Sequence, residues 1–309
     1  MVSRRIDSPP TAPRPRLRRL AAVLPSVVGG AVVAALLVGQ WPRARATLAD
    51  ADLGWLAAAV GLAALGMLVL AAAWADVLAL VADERPRRAK VAAAYFAGEL
   101  GKYVPGGVWA VLGRGEATRR LGVSRPAAYA SVLLSLVLAY AANAVAAAAL
   151  AVALLLRGDG SPAVSLLPLA FPAALVGLHP AVLSRVLGWL RRVTRRPLDV
   201  RVPPWRRSLA VAARYLPAWA CIGLSTWAVA RALVPDPGVV RIWLAAVLSW
   251  LAGFVAGPAP AGAGVREAVF VAACGLPAGE AVAVAVAARA VTVAVDAAGG
   301  AASLAFLQA

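Results

Sequence analysis

Four ionisable residues crowd one short stretch, Glu99, Lys102, Arg114 and Glu116, and a second group follows far downstream: Arg266, Glu267, Arg289 and Asp296. All lie in or beside apolar sequence. A charge deep in a membrane span costs at least ~2.5–3.5 kcal/mol on insertion scales, so it faces protein or water rather than lipid. Basic side chains held in that way can bind a phosphate: guanidinium offers a planar fork to two oxygens, ammonium a compact point charge. Lys102, Arg114 and Arg266 are the candidate ligands for a lipid phosphate. Pro105, Gly106 and Gly107 in the first stretch, and Gly262 and Gly264 in the second, would let the backbone bend and turn N–H groups at a helix start toward the same anion. A plainer reading stands beside this one: Glu99 and Lys102 form a local pair at three-residue spacing, and Arg114 only fixes topology. Arg289 and Asp296 share a helix face, yet ~10 Å of rise separates them, so each is expected to have its own partner.

The elements that must position these residues are unusual. Residues 95–121, YFAGELGKYVPGGVWAVLGRGEATRRL, are too apolar for a solvated loop and too rich in Gly, Pro and charge for a lipid-facing helix. Residues 253–275, GFVAGPAPAGAGVREAVFVAACG, have the same character. Irregular backbone at membrane depth is tolerated only where it is buried in protein or lines a wet cavity, so both read as re-entrant segments or broken helices. They also resemble each other: a Pro-x-Gly bend, then Arg, then Glu, then a glycine opening a long apolar helix. The offset is 155 residues from Pro105 to Pro260 and 153 from Gly122 to Gly275. Repeated halves that meet at paired broken helices are a transporter pattern, with the substrate site at their junction.

Composition sets the frame. Of 309 residues 62% are hydrophobic, and mean hydropathy is +0.80, against about 45–50% apolar in soluble domains. The expected fold is all-α, a polytopic transmembrane helical bundle of about seven spans plus two re-entrant segments, with a two-fold internal repeat. The spans are expected at 20–40, 53–81, 127–156, 164–179, 209–233, 239–256 and 280–307, forming a single integral membrane domain over residues 20–309 after a disordered cytoplasmic arm, residues 1–19. Net charge is +17, and all basic residues except Lys90 and Lys102 are arginine. Lys and Arg collect in the arm (six), after the second span (nine) and between the fourth and fifth spans (eight); the alternate gaps hold two, one and two. That distribution fits a bacterial inner membrane with a cytoplasmic N-terminus, and anionic membrane lipids rather than nucleic acid as partners. Seven full spans would put the C-terminus outside; a complete crossing by residues 264–275 would put it inside. Cys221 and Cys274 read as packing residues, His179 as an interfacial cap, Asp76 and Asn143 as interhelical hydrogen bonders. No zinc spacing, phosphate loop, nucleophile elbow or paired catalytic carboxylates occur, so neither a cofactor nor an enzymatic activity is expected.

The string from Gly98 to Arg114, GELGKYVPGGVWAVLGR, resembles the flippase-like family related to the transmembrane region of lysylphosphatidylglycerol synthases. Gly262, Gly264, Val265, Arg266 and Glu267 are similar to its G-V-R-E segment, and Arg289, Thr292 and Asp296 to its late intramembrane R…D pattern. The resemblance implies a helical bundle that binds or translocates an anionic phospholipid or a polyprenyl-phosphate-linked lipid. With no aminoacyl-transferase domain in the sequence, it implies lipid handling rather than lipid synthesis. Where many relatives carry a charged pair in the helix after the first motif, this chain has Ser135-Leu136, with Asn143 further on. The alternative is a non-transporting membrane partner of a glycosyltransferase or lipid-modifying enzyme.

Overall fold

In the computed structural model, residues 49–104, 108–185, 188, 204–256 and 260–308 are described. The first expected span and the arm before it lie outside them, as do Pro105, Gly106 and Gly107. The described residues form helices and 3-10 turns without strands.

Helix α1, Leu53–Val81, opens on Asp52, whose carboxylate accepts from the N–H groups of Gly54 and Trp55 at 2.7 and 3.2 Å. Such a cap satisfies donors that the first helical turn leaves free. Helix α2, Arg88–Glu99, runs on into a 3-10 turn, Leu100–Tyr103; α3, Trp109–Arg120, turns back against it. Helix α4, Arg125–Leu156, follows with a proline in its first turn, where the missing N–H costs nothing. Both α1 and α4 exceed the ~20 residues that cross a bilayer.

The next expected span, 164–179, is not one helix. It divides into α5, Pro162–Leu166, a 3-10 turn, Leu167–Leu169, and α6, Ala170–Gly177. Pro168 and Pro172 remove the N–H donors a continuous helix would need here. Helices α7, Trp205–Ala213, and α8, Leu216–Leu233, together make the fifth apolar crossing, jointed at Arg214–Tyr215 just before Pro217. Helix α9, Val239–Val255, leads to a 3-10 turn, Pro260–Gly262; α10, Val265–Ala273, and α11, Ala278–Gln308, complete the described chain.

The two irregular segments are hairpins that enter the bundle from opposite ends. The arms α2 and α3 begin and end at the basic end, beside Asp76, which pairs with Arg88 at 2.7 Å and with Arg214, and beside Glu84, which accepts from the Ser124 N–H. The second hairpin, α9 and α10, opens at the other end: Gly275, just past α10, lies against Arg241 in the first turn of α9, and Arg241 pairs with Asp159. At 12 residues each, the arms of the first hairpin reach ~18 Å, about half a bilayer. The tips therefore meet near mid-depth.

This arrangement corrects the reading of 239–256 as an independent crossing. Helix α9 is the entering limb of a hairpin, and α10 returns to the side α9 came from. Helix α11 then runs antiparallel to α2, with Asp296 at Tyr103 and Gly299 against Phe96, so it ends at the basic end. In a background lacking Cys221 and Cys274, cysteines at Asp83 and Gln308 should react with an impermeant maleimide from one face, and cysteines at Arg157 and Glu280 from the other. Labelling of Gln308→Cys together with Arg157→Cys would mean that α9 crosses and that α10 does not return to its side.

A few polar contacts join helices distant in sequence, while Asn143, expected to bond between helices, has no side-chain partner among the described residues. Trp219 donates to the Ala139 carbonyl at 2.7 Å, Trp74 to Ser131 at 3.2 Å and Ser225 to the Ala59 carbonyl at 2.7 Å; Ser135 and Tyr215 share a hydrogen bond of 2.8 Å. In a solvent as apolar as the helices themselves, close packing and such bonds hold the bundle together.

Candidate functional site

The hairpin tips carry the charges. Glu99 ends α2, and the 3-10 turn brings Lys102 back to it, Nζ to Oε2 at 3.0 Å. Arg114 lies across the hairpin on α3, 5% exposed, with Nη2 3.4 Å from the other oxygen of Glu99 and its guanidinium 5.0 Å from the Tyr95 ring. Arg114 can come this close because Gly98 offers no side chain: a Cβ there would lie 2.7 Å from the Arg114 nitrogen. Lys102 also reaches Asp296 of α11, Nζ to Oδ2 at 2.8 Å, and the Tyr103 hydroxyl donates to that same oxygen at 2.5 Å. Asp296 is 0% exposed.

The second tip is built differently. Gly262 and Gly264 have φ of +69° and +85°, the left-handed region that glycine enters without steric cost. Glu267 takes the Gly264 N–H at 2.7 Å, so the start of α10 is closed by its own carboxylate and is not open to an outside anion. The other oxygen of Glu267 pairs with Arg289 at 3.3 Å, and Arg289 also donates to the carbonyls of Ala261 and Pro260 at 3.0 and 3.4 Å. Arg266 stands apart. Its guanidinium lies over the Trp250 ring at 3.7 Å, its Nε is buried without a hydrogen-bond partner, and no carboxylate pairs with it among the described residues. Gly253 makes room for its aliphatic stem.

Lys102, Arg114 and Arg266 thus converge from the two hairpins. They line one cavity of about 290 Å³ together with Glu99, Tyr140 and Trp250. A smaller cavity of about 40 Å³ lies beyond, toward Arg289, Ser249 and Thr292, and Arg266 with Trp250 forms part of the wall of both. Within this cluster four cations (Lys102, Arg114, Arg266, Arg289) face three carboxylates (Glu99, Glu267, Asp296). The unmatched positive charge is that of Arg266.

Glu116 does not join the cluster. It lies at the basic end, paired with Arg119 at 2.7 Å, whose hydrogen bond holds the carboxyl below the usual carboxylate range. Arg289 and Asp296 have separate partners, as their rise along the helix requires. Tyr103 and Trp250 are the residues that spacing alone did not bring forward. Tyr103 adjoins the lysine of the motif, but its partner is 193 positions away. Trp250 sits in a plain apolar run.

No curated protein matches the chain. A family model does, over residues 21–300. That span takes in both hairpins, the Lys102–Asp296 contact between the first hairpin and α11, and the Arg266 seam, and it assigns the chain to the family of the lysylphosphatidylglycerol synthase transmembrane region.

Proposed function

We propose that this multi-pass membrane protein takes the phosphate of an anionic phospholipid or polyprenyl-phosphate lipid into the cavity between its hairpin tips and passes it from one leaflet to the other. The observation that carries the reading is Arg266: a half-buried arginine at membrane depth, its Nε buried and unpartnered, without a carboxylate of its own among the described residues, facing a cavity walled by two further cations. An unmatched charge at membrane depth is expensive, and a bound monoanion would balance it. Arg266 is therefore the principal ligand. Lys102 and Arg114, already held by Glu99 and Asp296, are secondary ones. The acyl chains remain among the exposed apolar residues that flank the tips, Val104, Val108, Trp109, Phe254 and Val255. Following the basic-loop rule, the basic end faces the cytoplasm. The protein acts as a carrier in this reading, not as an enzyme.

The test is reconstitution into phosphatidylcholine liposomes containing fluorescent phosphatidylglycerol, with a leaflet-accessibility assay. Arg266→Lys should slow flipping about tenfold or more at unchanged expression, because an ammonium reproduces neither the fork nor the stacking on Trp250. Arg114→Lys should slow it less, since Glu99 already occupies that guanidinium. Wild-type rates in both variants would remove these arginines as ligands. Binding without flipping would favour the alternative, a membrane partner of a lipid-modifying enzyme. Excess inorganic phosphate in the bath separates a lipid headgroup site from a free-phosphate site, since only the latter would be emptied by it.

A further inference from the structure

The smaller cavity carries a different chemistry from the larger. Along α1, Ala63 faces the smaller one, Leu70 the larger, and Met67 both. On α8, Ser225 and Thr226 face the smaller one, Tyr215 and Trp219 the larger. Helix α1 ends and α8 begins at the basic end, where Asp76 meets Arg214. The smaller cavity therefore lies farther from that end, with Arg266 and Trp250 in the wall between the two. A headgroup attached to a phosphate on Arg266 extends into it.

Four hydroxyls line this pocket, and each has already spent its hydrogen. Ser225 donates to the Ala59 carbonyl at 2.7 Å and Thr226 to that of Ile222 at 3.1 Å; Ser249 donates to Ala246 at 2.7 Å and Thr292 to Ala288 at 2.9 Å. A hydroxyl has one hydrogen and two lone pairs, so these four offer an occupant acceptors only. The occupant must donate. An ammonium would donate, but it would enter without a counter-ion: two guanidinium groups, Arg266 and Arg289, already face the one carboxylate of the pocket, and Glu267 is engaged at both oxygens. The guest that fits is a neutral donor, an alcohol.

We propose that this pocket is a subsite for a small hydroxylated headgroup, so that the protein selects phosphodiester lipids ending in a polyol such as glycerol over those ending in an amine or a sugar. The inference rests on the phosphate-site reading above and narrows its substrate. Size agrees with chemistry. A water-sized group needs ~10–15 Å³ of such space, so the pocket's volume of about 40 Å³ holds the diol end of a glycerol and is too small for a hexose ring. The headgroup O–H groups donate to the lone pairs of Thr226, Ser249 and Thr292. The phosphate, one bond behind, receives the Arg266 Nε–H, which is buried and has no partner of its own.

The experiment is calorimetric titration of the full chain in phosphatidylcholine nanodiscs, with empty nanodiscs as the blank. The three titrants share a phosphodiester and differ beyond it: dihexanoyl phosphatidylglycerol, dihexanoyl phosphatidylethanol, which lacks the hydroxyls, and dihexanoyl phosphatidylethanolamine, which ends in an ammonium. Phosphatidylglycerol should bind about tenfold tighter than phosphatidylethanol, and phosphatidylethanolamine most weakly. The double variant Thr226→Val/Thr292→Val removes two acceptors at the cost of one bond within each helix's own turn. In it the ratio of the first two affinities should fall toward one. A tenfold ratio that persists in the variant would place the hydroxyl contacts elsewhere and overturn the proposal. So would equal affinities for phosphatidylglycerol and phosphatidylethanol in the wild-type protein, a result that leaves the phosphate site standing and does not depend on the variant folding. Phosphatidylethanolamine binding as tightly as phosphatidylglycerol would overturn it as well. Failure of all three lipids to bind would instead remove the phosphate site itself, and this inference with it.

Discussion

Gly98→Ala should destabilise the protein by loosening its first hairpin, whereas Gly253→Ala should leave the fold standing and slow lipid movement. The two glycines hold matching places, each where the entering arm of a hairpin meets the arginine of the returning arm. What they meet differs. A methyl at position 98 would lie 2.7 Å from the Arg114 nitrogen and 2.9 Å from its Cα. Those are backbone atoms of α3, and they can give way only if the arms separate. Overpacking of a tight interface costs ~1–3 kcal/mol even where side chains can adjust, and here they cannot. The expected results are a Tm in detergent lowered by several degrees and loss of flipping. At position 253 the nearest backbone atom is the Gly262 Cα, at 3.4 Å; the overlap is with Cγ and Cδ of Arg266. The arginine stem can swing, but only by leaving the face of Trp250. Gly253→Ala should therefore keep its Tm to within a degree or two and slow flipping about tenfold or more, the same order as Arg266→Lys. Equal losses of Tm in the two variants would remove this distinction between the hairpins.

Hydropathy and charge were enough to read the membrane class, the all-helical fold and the approximate positions of the long helices, because those depend only on runs of composition. Helix α1 begins and ends where its apolar run and Asp52 cap require. The parallel between the two irregular segments was also visible, and the structure strengthens it: Gly98 and Arg114 recur as Gly253 and Arg266, at offsets close to that of the prolines. Direction was not visible. A 17-residue apolar arm such as α9 has the same composition whether it crosses the bilayer or turns back, and only the placement of Gly275 beside Arg241 decides it. Nor could spacing assign partners. Lys102 was read as paired with Glu99, three residues away, and that bond is present, but Lys102 is shared with an aspartate near the far end of the sequence. The arginine that proved to be unmatched was not distinguishable in the sequence from one paired in the fold. Asn143, expected to bond between helices, has neither side-chain atom partnered among the described residues.

Removal of Arg289 should be the most damaging single change at the second tip, and it should be partly reversed by removing a second charge. Arg289 ties three things together: the Glu267 carboxylate at 3.3 Å and the carbonyls of Ala261 and Pro260. Ala261 has φ of +48°, a left-handed conformation that a residue with a side chain holds only when its surroundings impose it. Arg289→Ala leaves that turn without its donor and leaves Glu267 an ionised group with one N–H for company. Breaking one side of a fully buried pair costs ~3–5 kcal/mol, mostly through the charge left behind, and this half-buried pair should lose less than that. The double variant Glu267→Gln/Arg289→Met contains no stranded charge, so it should regain about half or more of that loss while the carbonyls stay unpaired. Denaturation in detergent of the two single variants and the double variant forms a cycle that isolates the pair. Flip rates should follow stability across the cycle if Arg289 is a structural tie. If Arg289→Ala is instead as stable as the parent and slow only in flipping, the tie does not exist, and Arg289 joins Arg266 as a cation offered to the lipid phosphate.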